Sequence, residues 1–212
     1  MTAEQPLPAP DPVRRLTPKA LATRARLVRV AGDVFMTDGY AAASVREIAR
    51  RSGVSSGAIY GTFRGKAELL VAAVDAAIAA DLETLPDDVR ERSLPEIDAY
   101  QFATADAPSR ARLRTLLLEA AVAARTDADV REHLGALLDR RVDRWTRLHD
   151  EWRAQQGKRA IDSRSFVELF IASDLGRGVL EALGAHVPDA DEWATTMRTV
   201  FRTQPEAAEQ LR

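Results

Sequence analysis

Apolar positions recur along most of this chain at the three- and four-residue spacing of a helix. From about Pro18 to Asp38 they are Leu27, Val28, Ala31, Val34 and Phe35, with Thr17 placed as N-cap, Pro18 at the first helical position and Gly39 as the stop. The periods then shorten. Ser44 and Glu47 read as an S-x-x-E capping box, and Val45, Ile48 and Ala49 share one face. Gly53 suits a left-handed helix exit, and Val54 plugs the corner. Ser55 caps a second short helix, Ser56 to Phe63, which turns Ile59 and Phe63 inward and leaves Ser56, Gly57, Tyr60 and Thr62 outside. Two short helices joined by a Gly-centred turn form a helix-turn-helix, a shape that places its second helix in the DNA major groove.

The pattern continues with a helix from about Lys66 to Leu85, stopped by Pro86. Residues 86–108 carry three prolines and little periodicity, which predicts a loop with one short helix. Further helices follow. Residues 109–125 carry Leu113, Leu116, Leu117, Ala120 and Ala124 on one face. Residues 127–156 carry Val130, Leu134, Leu137, Leu138, Trp145, Leu148 and Trp152 in one stripe, closed by Gly157. Residues 163–183 are apolar over a wide arc, from Phe166 and Val167 to Leu180 and Leu183. Residues 189–203 carry Trp193, Met197, Val200 and Phe201. The Pro-rich residues 1–16 read as a disordered extension. The expected class is therefore all-α, with a head at 17–65 and a body at 66–212 linked through the helix 66–85.

The order Leu27-Val28, Ala31, Phe35, Asp38-Gly39-Tyr40, Ser44 to Ala49, Gly53-Val54-Ser55, Gly57 to Tyr60, Phe63, Lys66 and Glu68-Leu69-Leu70 resembles the DNA-binding domain of TetR-type (tetracycline-repressor-like) transcriptional regulators. The match covers about 60 of 212 residues. The resemblance implies a helix-turn-helix three-helix DNA-binding domain followed by a helical ligand-binding and dimerisation domain. It also implies a homodimer on a pseudo-palindromic double-stranded operator, released by a small-molecule effector. By resemblance and outward geometry, Ser55, Ser56, Gly57 and Thr62 lie nearest the base edges, and Tyr60 gives its hydroxyl to a phosphate. Ser44 and Arg46 sit where the first short helix crosses the backbone, and Lys66 offers a further phosphate contact. Surface packing is the plainer account of Tyr60 and Lys66, and the cap alone explains Ser44. The family often has Lys or another polar residue where this chain has Ser56 and a polar or His pair at Gly61-Thr62; Gly61 removes one possible contact, so the operator does not carry over.

Charge sharpens this picture. The chain is nearly neutral, at −2, yet residues 1–66 hold 11 Lys and Arg against 5 Asp and Glu, while the remainder is acidic. A basic end on an acidic body fits DNA binding by one end, and Arg14, Arg15 and Lys19 extend the basic character toward the terminus. There is no cysteine, which excludes disulfides and cysteine-ligated zinc. No run of 18 apolar residues and no secretory leader is present, so a cytoplasmic protein without membrane contact is expected. No cofactor is called for.

The body offers fewer signals. Arg141 interrupts the apolar stripe between Leu138 and Trp145, and His149 lies one turn on; with Phe170 and Asp174 they are the candidate ligand contacts. A snorkelling arginine beside packed indoles accounts for the same residues. Asp174 could pair across a dimer, face a pocket or reach solvent. The wide apolar arc at 163–183 fits either a central core helix or a homodimer interface, where small Ala172, Ser173, Gly176 and Gly178 permit close approach. Three scattered histidines and the absence of any nucleophile, phosphate-loop or zinc motif argue against an enzyme. The competing account is a DNA-binding or architectural protein without a ligand, controlled by partner proteins.

Overall fold

A computed structural model describes residues 17–84, 107–155, 157, 162–189, 191–193 and 195–196. Its helices are α1 (Pro18–Ala42), α2 (Val45–Ser52), α3 (Ser56–Tyr60), α4 (Lys66–Glu83), α5 (Pro108–Ala123), α6 (Ala128–Gln155) and α7 (Ser163–Ala182), and no strand occurs among the described residues. Helix α4 is the hub and packs against α1, α5 and α6, while α7 closes over α5 and α6. This position follows from its sequence. Leu69, Leu70, Val71, Ala73, Val74 and Ala77 bury nearly all round, so the helix must be covered on several sides. One apolar core runs without a break from Leu27 through Ile48, Ile59, Phe63 and Leu70 to Leu116 and Leu137. It crosses the boundary at residue 66, so head and body share a core. A smaller cluster, Val142 and Val167 with Leu82, Trp145, Phe166 and Ile171, lies beside it.

Several boundaries differ from the periodic pattern. Gly39 interrupts α1 with φ 77°, but helical structure resumes to Ala42, so the stop acts as a kink. Helix α3 ends at Tyr60 rather than Phe63. The amides of Thr62 and Phe63 both turn back to the Ile59 carbonyl, which swings Phe63 into the core at the cost of another helical turn. Asp127 caps α6 by accepting from the amides of Asp129 and Val130. Leu148, expected in the buried stripe of α6, is 45% exposed. On α7 the apolar arc is only partly covered, with Val167 buried but Leu169 57% and Val179 44% exposed. Gly178 faces inward, where an added Cβ would lie 3.2 Å from Leu118 and 3.3 Å from Arg114, so α7 and α5 touch there backbone to side chain. The expectations for residues 1–16, for 86–106 and for most of 189–203 fall outside the described residues.

Candidate nucleic-acid interface and cavity in the helical body

The head presents α3 outward on a rigid base. Ser44 Oγ accepts from the Glu47 amide, Gly53 exits α2 at φ 66°, and Ser55 Oγ accepts from the Ala58 amide. Ile48 and Ile59 are fully buried beneath these turns, with Phe63 at 2% exposure, so the relative pose of α2 and α3 is fixed by packing. Ser55, Gly57, Tyr60 and Thr62 are exposed and Ser56 is half-buried; Ser44 and Arg46 are exposed on the adjoining α2. These seven belong to α2, α3 and the residues that flank them. The capping box is only half realised. The Glu47 carboxylate turns away from Ser44 to bind Arg50 and Arg51, whose hydrogen bonds hold its carboxyl down at about 2. Arg51 also reaches Asp38. Those two cations are therefore already compensated, whereas the guanidinium groups of Arg46 and Arg64 form no ion pair among the described residues, the Arg64 amide alone donating to Glu68.

A contact that the periodicity missed is Arg24. It stacks over the Phe63 ring at 5.0 Å and lines a groove between α1 and α3 with Lys19, Thr23 and Thr62. Its spacing of three from buried Leu27 was the available signal. The Thr62 hydroxyl donates back to the Ala58 carbonyl, leaving its lone pairs and methyl at the surface.

Lys66 occupies a different place from the one expected. Its ammonium donates to the carbonyls of Tyr40 at 2.8 Å and Ala43 at 3.2 Å, and sits 4.2 Å above the Tyr40 ring. It satisfies the carbonyl end of α1 instead of projecting to solvent. Tyr40 is in turn a junction between head and body. Its hydroxyl donates to Asp127 at 2.6 Å and its amide donates to Glu119. Burial pushes the Tyr40 hydroxyl far above its ordinary range, with Asp127 adding to it; the same hydrogen bond pulls the Asp127 carboxyl down. A second junction is Arg112, which donates to Asp33 at 2.5 Å and to the Arg29 carbonyl at 3.1 Å.

Between the two apolar clusters of the body lies a cavity of about 110 Å³. Helices α4 to α7 all contribute, through Ile78, Leu82, Leu113, Leu117, Trp145 and Phe170 among others. Its charged lining is Asp81, Arg110, Arg141 and Asp174. Asp81 and Arg110 form a buried pair at 2.9 Å with each side chain 5% exposed. Burial nevertheless pushes the Asp81 carboxyl up; Arg110 opposes this and Asp174 adds to it. Arg141 reaches the cavity while bonded to Asp75 at 2.5 Å.

Thus Arg141, Trp145, Phe170 and Asp174 converge, but His149 does not join them. Its ring is 3% exposed, hydrogen-bonds Ser163 Oγ at 2.9 Å and stacks on Phe166 and Trp152. One turn beyond Trp145 was far enough along α6 to leave the cavity. Asp81 and Arg110 were missed because each lies within a few residues of the segment 86–108, where the pattern was hardest to read. On the same helix Asp143 pairs with Arg164 at 2.7 Å and Asp150 is exposed. Among the described residues, no cluster of His, Asp and Glu could hold a metal and no helix is long and apolar enough to cross a membrane.

Comparison with known proteins agrees with this geometry. The family model described as bacterial regulatory proteins, tetR family, matches residues 27–73. An uncharacterized HTH-type transcriptional regulator of Mycobacterium tuberculosis is 28% identical over 85% of this chain and 93% of its own length. The uncharacterized HTH-type transcriptional regulator TtgW of Pseudomonas putida is 30% identical over 50% of this chain and 79% of its own length. The crystal structure of a regulator assigned to the TetR family from a Rhodococcus species superimposes with a TM-score of 0.71 at 15% identity, over 85% of this chain and 96% of that one, a likeness of fold.

Proposed function

The chain belongs to the TetR family of bacterial transcriptional regulators, with a DNA-binding helix-turn-helix, and from that premise we propose that it is a repressor released from its operator by a small molecule held in the α4–α7 cavity. The observation that carries this is the sharing of elements. Helices α4 and α5 line the cavity and also pack against α1, the scaffold of the head. A molecule that changes the spacing of α4 to α7 therefore acts on the mounting of α3.

The working form is a homodimer. One five-residue α3 spans only a few base pairs, whereas a two-fold pair reads two half-sites about 34–36 Å apart. The α7 face supports a second copy as its cover. Leu169, Leu180 and Leu183 are exposed there at 57%, 39% and 76%, next to exposed Ala172 and Gly176, which let two helices approach. In this assembly Ser55, Ser56, Gly57 and Thr62 face base edges. Tyr60, Ser44 and Arg46 contact phosphate, with Arg24 and Arg64 as further phosphate contacts.

The test is selection of bound sites from a random DNA library with the purified protein, together with its mass by light scattering. The expected result is a pseudo-palindrome with half-sites about one turn apart, bound by a species of twice 23.3 kDa. Weak, salt-sensitive binding without sequence preference would reject the repressor reading. An operator affinity that no small molecule alters would reject the effector.

A further inference from the structure

We propose that the cavity selects an uncharged, mainly apolar molecule about one ring in size, bearing a single hydroxyl held between Asp174 and Arg110. The inference rests on the cavity being the effector site.

The first argument is charge. Nine of the thirteen lining residues are apolar, and the other four are two acids and two arginines. Arg110 is neutralised by Asp81, and Arg141 by Asp75. Asp174 lies 3.7 Å from Arg110 Nε and 3.8 Å from Arg114 Nη1, and Glu181 is shared by Arg114 at 2.8 Å and Arg177 at 2.9 Å, so four carboxylates stand against four guanidinium groups. The charges compensate one another, so an ion entering this apolar space finds no spare counter-charge and loses its hydration without recompense.

The second argument is hydrogen bonding. The Asp174 side chain is 14% exposed, and its two cationic neighbours stand beyond hydrogen-bond length. It accepts no hydrogen bond among the described residues, an unfavourable state for a mostly buried carboxylate. An oxygen inserted over the 3.7 Å gap to Arg110 Nε can sit about 2.7 Å from the carboxylate and about 2.9 Å from the nitrogen. It must then donate to Asp174 and accept from Arg110. A hydroxyl does both. An ammonium can only donate and meets Arg110; a carboxylate can only accept and meets Asp174.

The third argument is size and shape. A cavity of about 110 Å³ is close to the scale of an engineered cavity of about 150 Å³ that holds benzene. Trp145 and Phe170 supply aromatic walls for a ring.

The experiment titrates the full-length protein with four probes that share one body: para-propylphenol, propylbenzene, para-propylbenzylammonium and para-propylbenzoate. Binding is read by calorimetry and DNA release by anisotropy. The phenol is expected to bind at least about ten-fold more tightly than each of the others, because a site built for a hydroxyl penalises its absence. Asp174→Leu should reduce the phenol to the level of propylbenzene, and Asp174→Asn should reduce it part of the way. If either variant fails to fold, the wild-type series alone decides. Tighter binding of the ammonium or the benzoate, or equal binding of propylbenzene and the phenol, overturns the inference. Selective binding of the phenol without DNA release upholds it and removes the effector role instead. Binding of none of the four removes both.

Discussion

Gly57→Ala separates the stability of the head from its approach to DNA. An added Cβ at Gly57 would meet only Ser55 Oγ, at 3.9 Å, which is ordinary contact. The fold therefore has room for it. Alanine exceeds glycine in a helix interior by about 1 kcal/mol; in the first turn of a five-residue helix we take about half of that. For a chain of this length the gain corresponds to a melting temperature about 1–2 °C higher. On DNA the sign reverses. A methyl group at the point of nearest approach lifts α3 off the base edges, and the lost contacts resemble a mismatch of about 1–3 kcal/mol in each half-site. Taking about 1 kcal/mol twice, operator affinity falls about 30-fold. Because no phosphate contact is removed, affinity for random DNA and the slope of affinity against salt should stay as they were. Anisotropy titrations on the selected operator and on random DNA, beside a thermal melt, supply all three readings. A variant that melts higher and still binds the operator within about two-fold of wild type would show that Gly57 does not approach the bases.

The buried pair in the body gives a larger effect: Asp81→Asn leaves Arg110 with only Asp174 at 3.7 Å, and denaturant melts should show a loss of about 3 kcal/mol, whereas Asp81→Leu with Arg110→Met should recover most of it. Tyr40→Phe removes one charge-assisted hydrogen bond while Asp127 keeps two amide donors, so a loss at the low end of the range for such bonds, about 1.5 kcal/mol, should be seen at pH 7. The fold lowers the Asp127 carboxyl below 3.8, chiefly through Tyr40, so this stabilisation is full above that pH and disappears as pH falls through the folded value; melts in acid should bring the variant and wild type together. Lys66→Met leaves two carbonyls without their donor and should cost about 1–2 kcal/mol with an unchanged salt slope on DNA, while a slope lower by about one would restore a phosphate contact. Arg112→Ala cuts a link between α5 and α1, and the ratio of effector affinities with and without operator should move toward one; an unchanged ratio would remove Arg112 from the coupling.

The head was legible because its signals are local. Ser44, Gly53 and Ser55 act within three or four residues, and Ile48, Ile59 and Phe63 report one buried side, so caps and periodicity sufficed. Gly39 was read as the end of the helix, but the helix resumes to Ala42, where Lys66 covers the Tyr40 and Ala43 carbonyls from 26 and 23 residues away. Lys66 drew the phosphate reading from its place at the start of α4, and these two carbonyls lie too far along the chain for a local reading to find. In the body, Arg141 and Asp174 stood out because each interrupts the apolar pattern of its helix, and Trp145 and Phe170 are large aromatics within that pattern. Asp81 and Arg110 did not, since an acid late in one helix and an arginine early in another resemble solvated ends until α4, α5 and α7 are brought together. His149 misled for the converse reason. Four residues along α6 carried it past the cavity to Ser163, a rotation that periodicity describes but whose depth it does not.

The contacts between α1 and the body bear on how a cavity of this kind would act on DNA. Glu119 and Arg112 of α5 hold the Tyr40 amide and the Asp33 carboxylate of α1, and Asp127 at the start of α6 holds the Tyr40 hydroxyl. Hydrogen bonds to charged groups contribute about 1.5–3 kcal/mol each when partly buried. On the proposed mechanism an effector need supply only about 1–3 kcal/mol of coupling. Breaking the three links together would cost more than the coupling provides, so displacement of α5 carries α1 with it rather than tearing loose. The head has no softer place to absorb the motion, because Phe35, Ile48, Ile59 and Phe63 are at most 2% exposed in one core with α4. Close-packed interiors shift as blocks. On the proposed mechanism a change of spacing at Leu113 and Leu117 is therefore passed to α3 as a change of orientation, and what the proposed dimer would lose is the register between two intact reading helices, not their folding.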